Sequence, residues 1–167
     1  MSTYPLKAIL ATFTKPNARK RTLFNLAPIG GISSSLVTLF LFSLPLIEFA
    51  VIFNPVVFNM LGIAQSIVFF IVFLSIVMII IFLVIWVINK KVLTKIAASW
   101  DAYFPNVDLK MVLSSGITPY KDFYKFYAPL HSLEEEELHK ALIKAFVQMQ
   151  EENKDLIEAM QKDRSRV

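Results

Sequence analysis

The residue pattern that comes nearest to a reactive site in this chain of 167 residues is Glu136-x-x-His139. A glutamate and a histidine three apart share one face of a helix, and such a pair supplies part of the ligand set of a di-iron carboxylate bundle. That centre needs a second Glu-x-x-His and two further glutamates from facing helices, whereas the chain has one copy of the pair and two histidines in all, His131 and His139. The pair is therefore expected to be a solvated helix face that holds no metal. Neither histidine has a nucleophile at a readable spacing, so no catalytic triad is suggested.

There is no cysteine, which removes thiolate catalysis, disulfides, Cys-ligated zinc and iron–sulfur clusters together. The four glycines, Gly30, Gly31, Gly62 and Gly116, build neither a P-loop nor a dinucleotide-binding turn. The expectation is a protein that is not an enzyme and carries no cofactor.

Glu48 is the only ionisable residue between residues 32 and 88. A charge inside an apolar span is a functional candidate by default. It lies five residues before Phe53, about 7–8 Å from the end of its span at helical rise. A carboxylate at that depth can extend toward the headgroups, so the structural reading stands ahead of a paired or ion-linked role. The other span has no Lys, Arg or His. A partner for Glu48 must be another chain, another copy or water.

An aromatic run holds Trp100, Tyr103, Phe104, Tyr120, Phe123, Tyr124 and Tyr127. Aromatic rings can stack single-stranded bases, but only inside a basic groove. Here Lys110, Lys121 and Lys125 face three aspartates, so no nucleic-acid partner is expected. A small packed core, or a docking surface for a partner or the membrane surface, fits better.

These residues hang on elements that the hydrophobic pattern defines. Hydrophobic residues make up 56% of the chain, charged residues only 18%, and the mean hydropathy is +0.58. A soluble domain is nearer 45–50% apolar and about 25% charged. The excess lies between residues 32 and 88 without the polar interleaving of a soluble core. Residues 32–53 and 66–88 each suffice to cross a hydrocarbon core of about 30 Å. Pro45 should kink the first span, and Asn54-Pro55 should end it. The link to Gln65 carries no Lys or Arg.

The charge is arranged around these spans. Residues 1–31 hold Lys7, Lys15, Arg19, Lys20 and Arg21 and no acid, while bases and acids balance beyond residue 88. Leu6, Ile9, Leu10 and Phe13 would share one helical face, followed by the basic cluster. This reads as an amphipathic segment lying on the membrane. Lys15, Arg19, Lys20 and Arg21 before the first span, and Lys90 and Lys91 after the second, are the expected contacts with lipid headgroups. The positive-inside rule then puts both termini in the cytoplasm. A secretory signal is not expected, because the apolar run starts too late and is too long; a mitochondrial presequence is the weaker alternative.

Beyond the spans, Pro105 should end a helix that continues from the second span. Thr118-Pro119 should start another, as a hydroxyl cap with proline at the first helical position. Ser132-x-x-Glu135 reads as a capping box opening a helix over residues 132–163, with Lys162, Arg164 and Arg166 at its other end. Leu138, Leu142, Met149 and Leu156 fit a repeat of about 3.5 residues, the mark of a coiled-coil partner helix.

The fold class expected is an all-α membrane protein. An N-terminal interfacial segment (1–31) precedes a two-helix transmembrane hairpin (32–89) and a helical cytoplasmic tail (90–167). The function expected is a non-catalytic structural or assembly subunit of a larger membrane complex, such as a secretion, conjugation or respiratory assembly. Its partners would be the lipid bilayer and other subunits, with a homo-oligomer as one form. Partner contacts would fall on the aromatic run (100–127) and the last helix (132–163). The bacterial inner membrane is the expected location and the mitochondrial inner membrane the alternative. A self-assembling pore of holin type is the second reading.

Overall fold

The computed structural model describes residues 4–164. The chain's regular secondary structure there is all-helical apart from one isolated antiparallel bridge between Thr14 and Lys20. Its α-helices are α1 (Leu6–Phe13), α2 (Ser34–Ile52), α3 (Pro55–Tyr103), α4 (Leu109–Leu113), α5 (Phe123–Tyr127), α6 (Glu135–Glu152) and α7 (Lys154–Arg164). They form two compact units. One joins the chain up to Arg21 with everything from Leu93 onward; the other is Thr22–Val92.

The first unit corrects the reading of the N-terminal segment. Leu6, Ile9, Leu10 and Phe13 do share one face of α1, but each is completely buried within the unit. A helix whose apolar face is enclosed by protein offers none of it to lipid, so α1 is a core helix and not an interfacial one. Burying side chains of this size stabilises by about 1.5–3 kcal/mol each. A two-faced helix cannot be assigned to membrane or core from its periodicity alone, because both bury the same stripe.

After α1 the basic cluster folds into a tight reversal. Lys15 donates to the Arg19 carbonyl, and Arg21 donates to that of Phe13. Ala18 sits in the turn with φ 57°, an uncommon backbone for a residue with a side chain.

The C-terminal elements differ from expectation in where they begin. Phe104 ends α3 as Pro105 requires, its N–H donating to the Trp100 carbonyl at 2.8 Å. Thr118 does not cap a helix; its hydroxyl donates to the Met111 carbonyl at 3.1 Å, and α5 begins only at Phe123. The capping box at Ser132 does not form either. The N-cap of α6 is Glu134, without a side-chain cap.

The single last helix is two. Asn153 breaks it with φ −118° and ψ 30°, and its side-chain amide donates to the carbonyls of Met149 and Pro119. Asparagine competes with helical backbone through such local bonds. Arg166 lies outside the described residues.

The second unit is a hairpin. Ser33 caps α2 by accepting the Ser35 N–H, and Pro45 lies inside this helix of 19 residues. The connection is tighter than the sequence suggests. The Asn54 side chain accepts the Val56 N–H at 3.0 Å, and Pro55 occupies the first position of α3. That places helix where residues 54–65 read as a link. The interruption comes instead at Gly62, with φ 75° and ψ 168° inside an otherwise helical run.

Around the connection, the rings of Phe49 and Phe53 stack at 4.8 Å, and both meet Phe70 edge-on. At the other end, Asn89 clamps the incoming chain. Its amide donates to the Thr22 carbonyl, and its oxygen accepts the Phe24 N–H.

Both helices of the hairpin are long and apolar enough to cross a membrane, and they are bare. In the most apolar 18 residues of α2 only 11% are buried, and in those of α3 none. Phe42, Met60 and Phe82 are each more than 70% exposed.

Candidate functional site

The aromatic residues expected at a docking surface are mostly core. Trp100 is fully buried, and its indole N–H donates to the Val107 carbonyl at 2.7 Å. Its ring meets those of Phe13, Phe104 and Phe146 at 4.7–6.2 Å. Phe123 stacks on Tyr127 and Phe146, each at 5.7 Å. Edge-to-face and offset arrangements of this kind add to the burial of the rings themselves.

The partner face expected on the last helix is enclosed in the same way. Leu138, Leu142, Ala145 and Met149 are buried within the unit, and Leu156 on α7 is half-buried. The repeat that reads as a coiled-coil seam is the stripe by which α6 joins its own chain. Tyr120 is buried too, its hydroxyl accepting from the Gln150 amide at 2.8 Å. Tyr103 and Tyr124 are half-buried.

The polar centre of this unit is one that the spacing did not announce. Glu135, half-buried on the first turn of α6, accepts the backbone N–H of Leu6 at 2.6 Å and the Tyr103 hydroxyl at 3.3 Å. A carboxylate at a helix N-terminus satisfies an orphan donor and meets the positive end of the dipole. Burial and then the nearby Glu135 carboxylate raise the Tyr103 phenol above its ordinary value. Lys7 and Glu134 lie 3.7 Å apart at the rim, both exposed, a pair worth little in water.

Glu136 and His139 have different surroundings. Glu136 is exposed, while His139 is half-buried, with Nε2 3.1 Å from the Tyr103 carbonyl and the ring against those of Tyr103 and Phe104. Among the described residues no three His, Cys, Asp or Glu side chains gather to hold a metal ion.

The basic residues divide into free and engaged. Lys15, Arg19 and Lys91 are exposed. The Lys20 ammonium donates to the Leu113 carbonyl and the Ser115 hydroxyl at 2.6 and 2.9 Å, closing the end of α4, and burial lowers its pKa. Arg21 donates from Nε to the Thr14 carbonyl at 2.7 Å. Lys90 lies over the Trp86 ring at 5.2 Å, a cation–π contact.

Glu48 stands apart. It is half-buried on α2, and both carboxylate oxygens are shielded from solvent with no hydrogen-bond partner. On the other helix of the hairpin the Ser66 hydroxyl is buried and also unpartnered. Ser43 and Ser75 turn back to carbonyls of their own helices, those of Phe40 and Ile71.

Two surface grooves of about 340 Å³ lie in the first unit. One is lined by Met111, Tyr120, Gln150 and Ile157, the other by Phe126, Leu130, Lys125 and Lys144. Neither gathers groups that would perform a reaction. Compared with protein-family models, with curated proteins and with solved structures, the chain matches none.

Proposed function

We propose that this chain is a membrane-anchored, non-catalytic structural or assembly subunit of a larger complex. The observation that carries the reading is the bareness of α2 and of the apolar stretch of α3, where the most hydrophobic 18 residues are 11% and 0% buried, in a chain whose other unit has a buried core of its own. A helix that is hydrophobic all round belongs in a protein core or a bilayer, and these stretches are not enclosed in a core of this chain. Residues 34–52 give about 28 Å at helical rise, matching a hydrocarbon core of about 30 Å.

In this reading the hairpin crosses the membrane twice. Lys15 and Arg19 on one flank and Lys91 on the other favour both termini on the cytoplasmic side, in a bacterial inner membrane. Docking falls on side chains that the folded unit leaves outside: Ile117, Ile143 and Val147, at 82%, 43% and 48% exposure. Most of the residues first expected there are occupied in the core.

The pore reading draws less support. A water-lined path needs a polar stripe, and the Ser43 and Ser75 hydroxyls are bonded to their own helices.

The test is the native mass of the protein extracted from its own membrane in mild detergent. A stable assembly with other polypeptides is the expected outcome, and Val147→Glu should weaken it without changing membrane insertion. A homo-oligomer that releases dye from pure liposomes would replace this reading with the pore.

A further inference from the structure

Glu48 presents a physical problem that its own chain does not solve. Nearly all buried polar atoms in proteins have a partner. A carboxylate without one in apolar surroundings is among the most costly arrangements available. Both of its oxygens are in that state.

The hairpin holds no opposite charge. No Lys, Arg or His occurs between residues 32 and 88. The Ser43 and Ser75 hydroxyls are already bonded, and the unpartnered Ser66 hydroxyl is a neutral donor that brings no charge to balance a carboxylate. A second copy of the chain would bring the same inventory, with no cation at any depth of the span.

We propose that Glu48 is the contact for a membrane-spanning helix of a different subunit that carries a lysine or arginine at matching depth. This inference rests on the subunit reading above and adds the partner's chemistry. Intramembrane charges characteristically pair with one another, and a hydrogen-bonded ion pair satisfies both desolvated groups at once. The surface beside Glu48 is open to such a helix, with Ile47 and Val51 exposed by 55% and 58%. The glutamate stem, partly exposed on α2, turns outward on its rotatable bonds to meet the donor.

The chain has no cysteine, so Val51→Cys places a single thiol within one turn of Glu48. The full-length protein in its native membrane is labelled there with a benzophenone maleimide and irradiated. The expected adduct is a different polypeptide, with a Lys or Arg in a membrane span. The adduct should fall to background with Glu48→Gln and persist with Glu48→Asp, both variants remaining in the carbonate-resistant membrane fraction.

Adducts only with lipid or with a second copy overturn the proposal, as does an adduct that survives Glu48→Gln. If other polypeptides co-extract with the wild-type protein and no Glu48-dependent adduct forms, this inference alone fails. If the wild-type protein extracts free of other chains, the subunit reading fails and takes this one with it.

Discussion

The Glu135 carboxylate reaches from the first turn of α6 to the first turn of α1 and accepts the Leu6 backbone N–H at 2.6 Å. The residues are 129 positions apart, so this is a helix cap delivered through tertiary structure. Pro5, the local N-cap, provides no side-chain bond. Glu135→Ala removes both this acceptor and the one used by Tyr103, and should cost about 1–2 kcal/mol of stability. Glu135→Gln keeps an oxygen and should cost less. Thermal unfolding followed by Trp100 fluorescence in a Trp86→Phe background reads both, and an unchanged midpoint for Glu135→Ala would remove the cap from the account.

Phe13 tests the placement of α1 directly. It is fully buried, with its ring 6.2 Å from those of both Trp100 and Phe123. Phe13→Ala should destabilise the unit by about 3–5 kcal/mol, as large-to-small core changes do. It should also shift Trp100 emission to the red as water enters. A helix lying on the membrane surface would lose lipid affinity instead and leave Trp100 emission where it was.

Which features could be read from the sequence follows from how local their causes are. The existence of the two apolar helices and the stop at Pro105 are local, set by composition and by proline geometry, and both appear, although the second helix starts at Pro55, where the sequence reads as a link to Gln65. The destination of α1 is not local, since membrane and core want the same stripe of Leu6, Ile9, Leu10 and Phe13. The heptad-like stripe of α6 has the same ambiguity between a foreign helix and its own chain. The capping box at Ser132 fails because α6 starts later, with Glu134 as its N-cap, and Glu135 caps α1 instead through a bond to Leu6 that sequence spacing does not contain. Glu48 was legible as a lone carboxylate, but its inward, partnerless oxygens were not.

Tyr124 carries a different imbalance. Its hydroxyl is buried without a partner, and burial pushes the phenol well above its ordinary range. An unsatisfied buried hydroxyl opposes folding, so Tyr124→Phe should raise stability by about 1 kcal/mol. Differential scanning of the detergent-solubilised protein measures it. A loss of stability would mean that the hydroxyl has a partner in solution.

The same unit should be sensitive to alkali. Tyr103, Tyr124 and Tyr127 all have phenols raised above 10.0, each mainly by burial. Their neutral forms are favoured by folding. That contribution is fully present below pH 10.0 and is lost as the pH rises through the folded values, because the unfolded chain releases these protons first. Lys20, lowered from 10.5 by burial, acts in the opposite sense just below that pH, as one group against three. Unfolding midpoints should therefore fall from pH 9 to pH 12, in step with the tyrosinate absorbance at 295 nm. A flat profile would contradict the burial of these three rings.

Gly62 sets the geometry of the hairpin by a backbone requirement alone. Its φ of 75° with ψ of 168° belongs to a region that residues with side chains hardly enter. A Cβ added there would meet nothing within 4 Å, so any penalty for Gly62→Ala is conformational and not steric crowding. The cost should be about 1–3 kcal/mol. It should be relieved by the helix straightening through residue 62 or by the segment at Pro55 fraying. In either case the Phe58 amide, which donates to the Asn54 carbonyl at 2.8 Å, should change its rate of hydrogen exchange. Gly116 is the control: it has no left-handed backbone requirement, and an added Cβ would meet only the Ser114 hydroxyl at an ordinary 3.4 Å. Gly116→Ala should leave exchange across the hairpin untouched. If Gly62→Ala does the same, the break in α3 is not held by glycine, and the bend must come from the packing of Phe53 against Phe58 and Phe70.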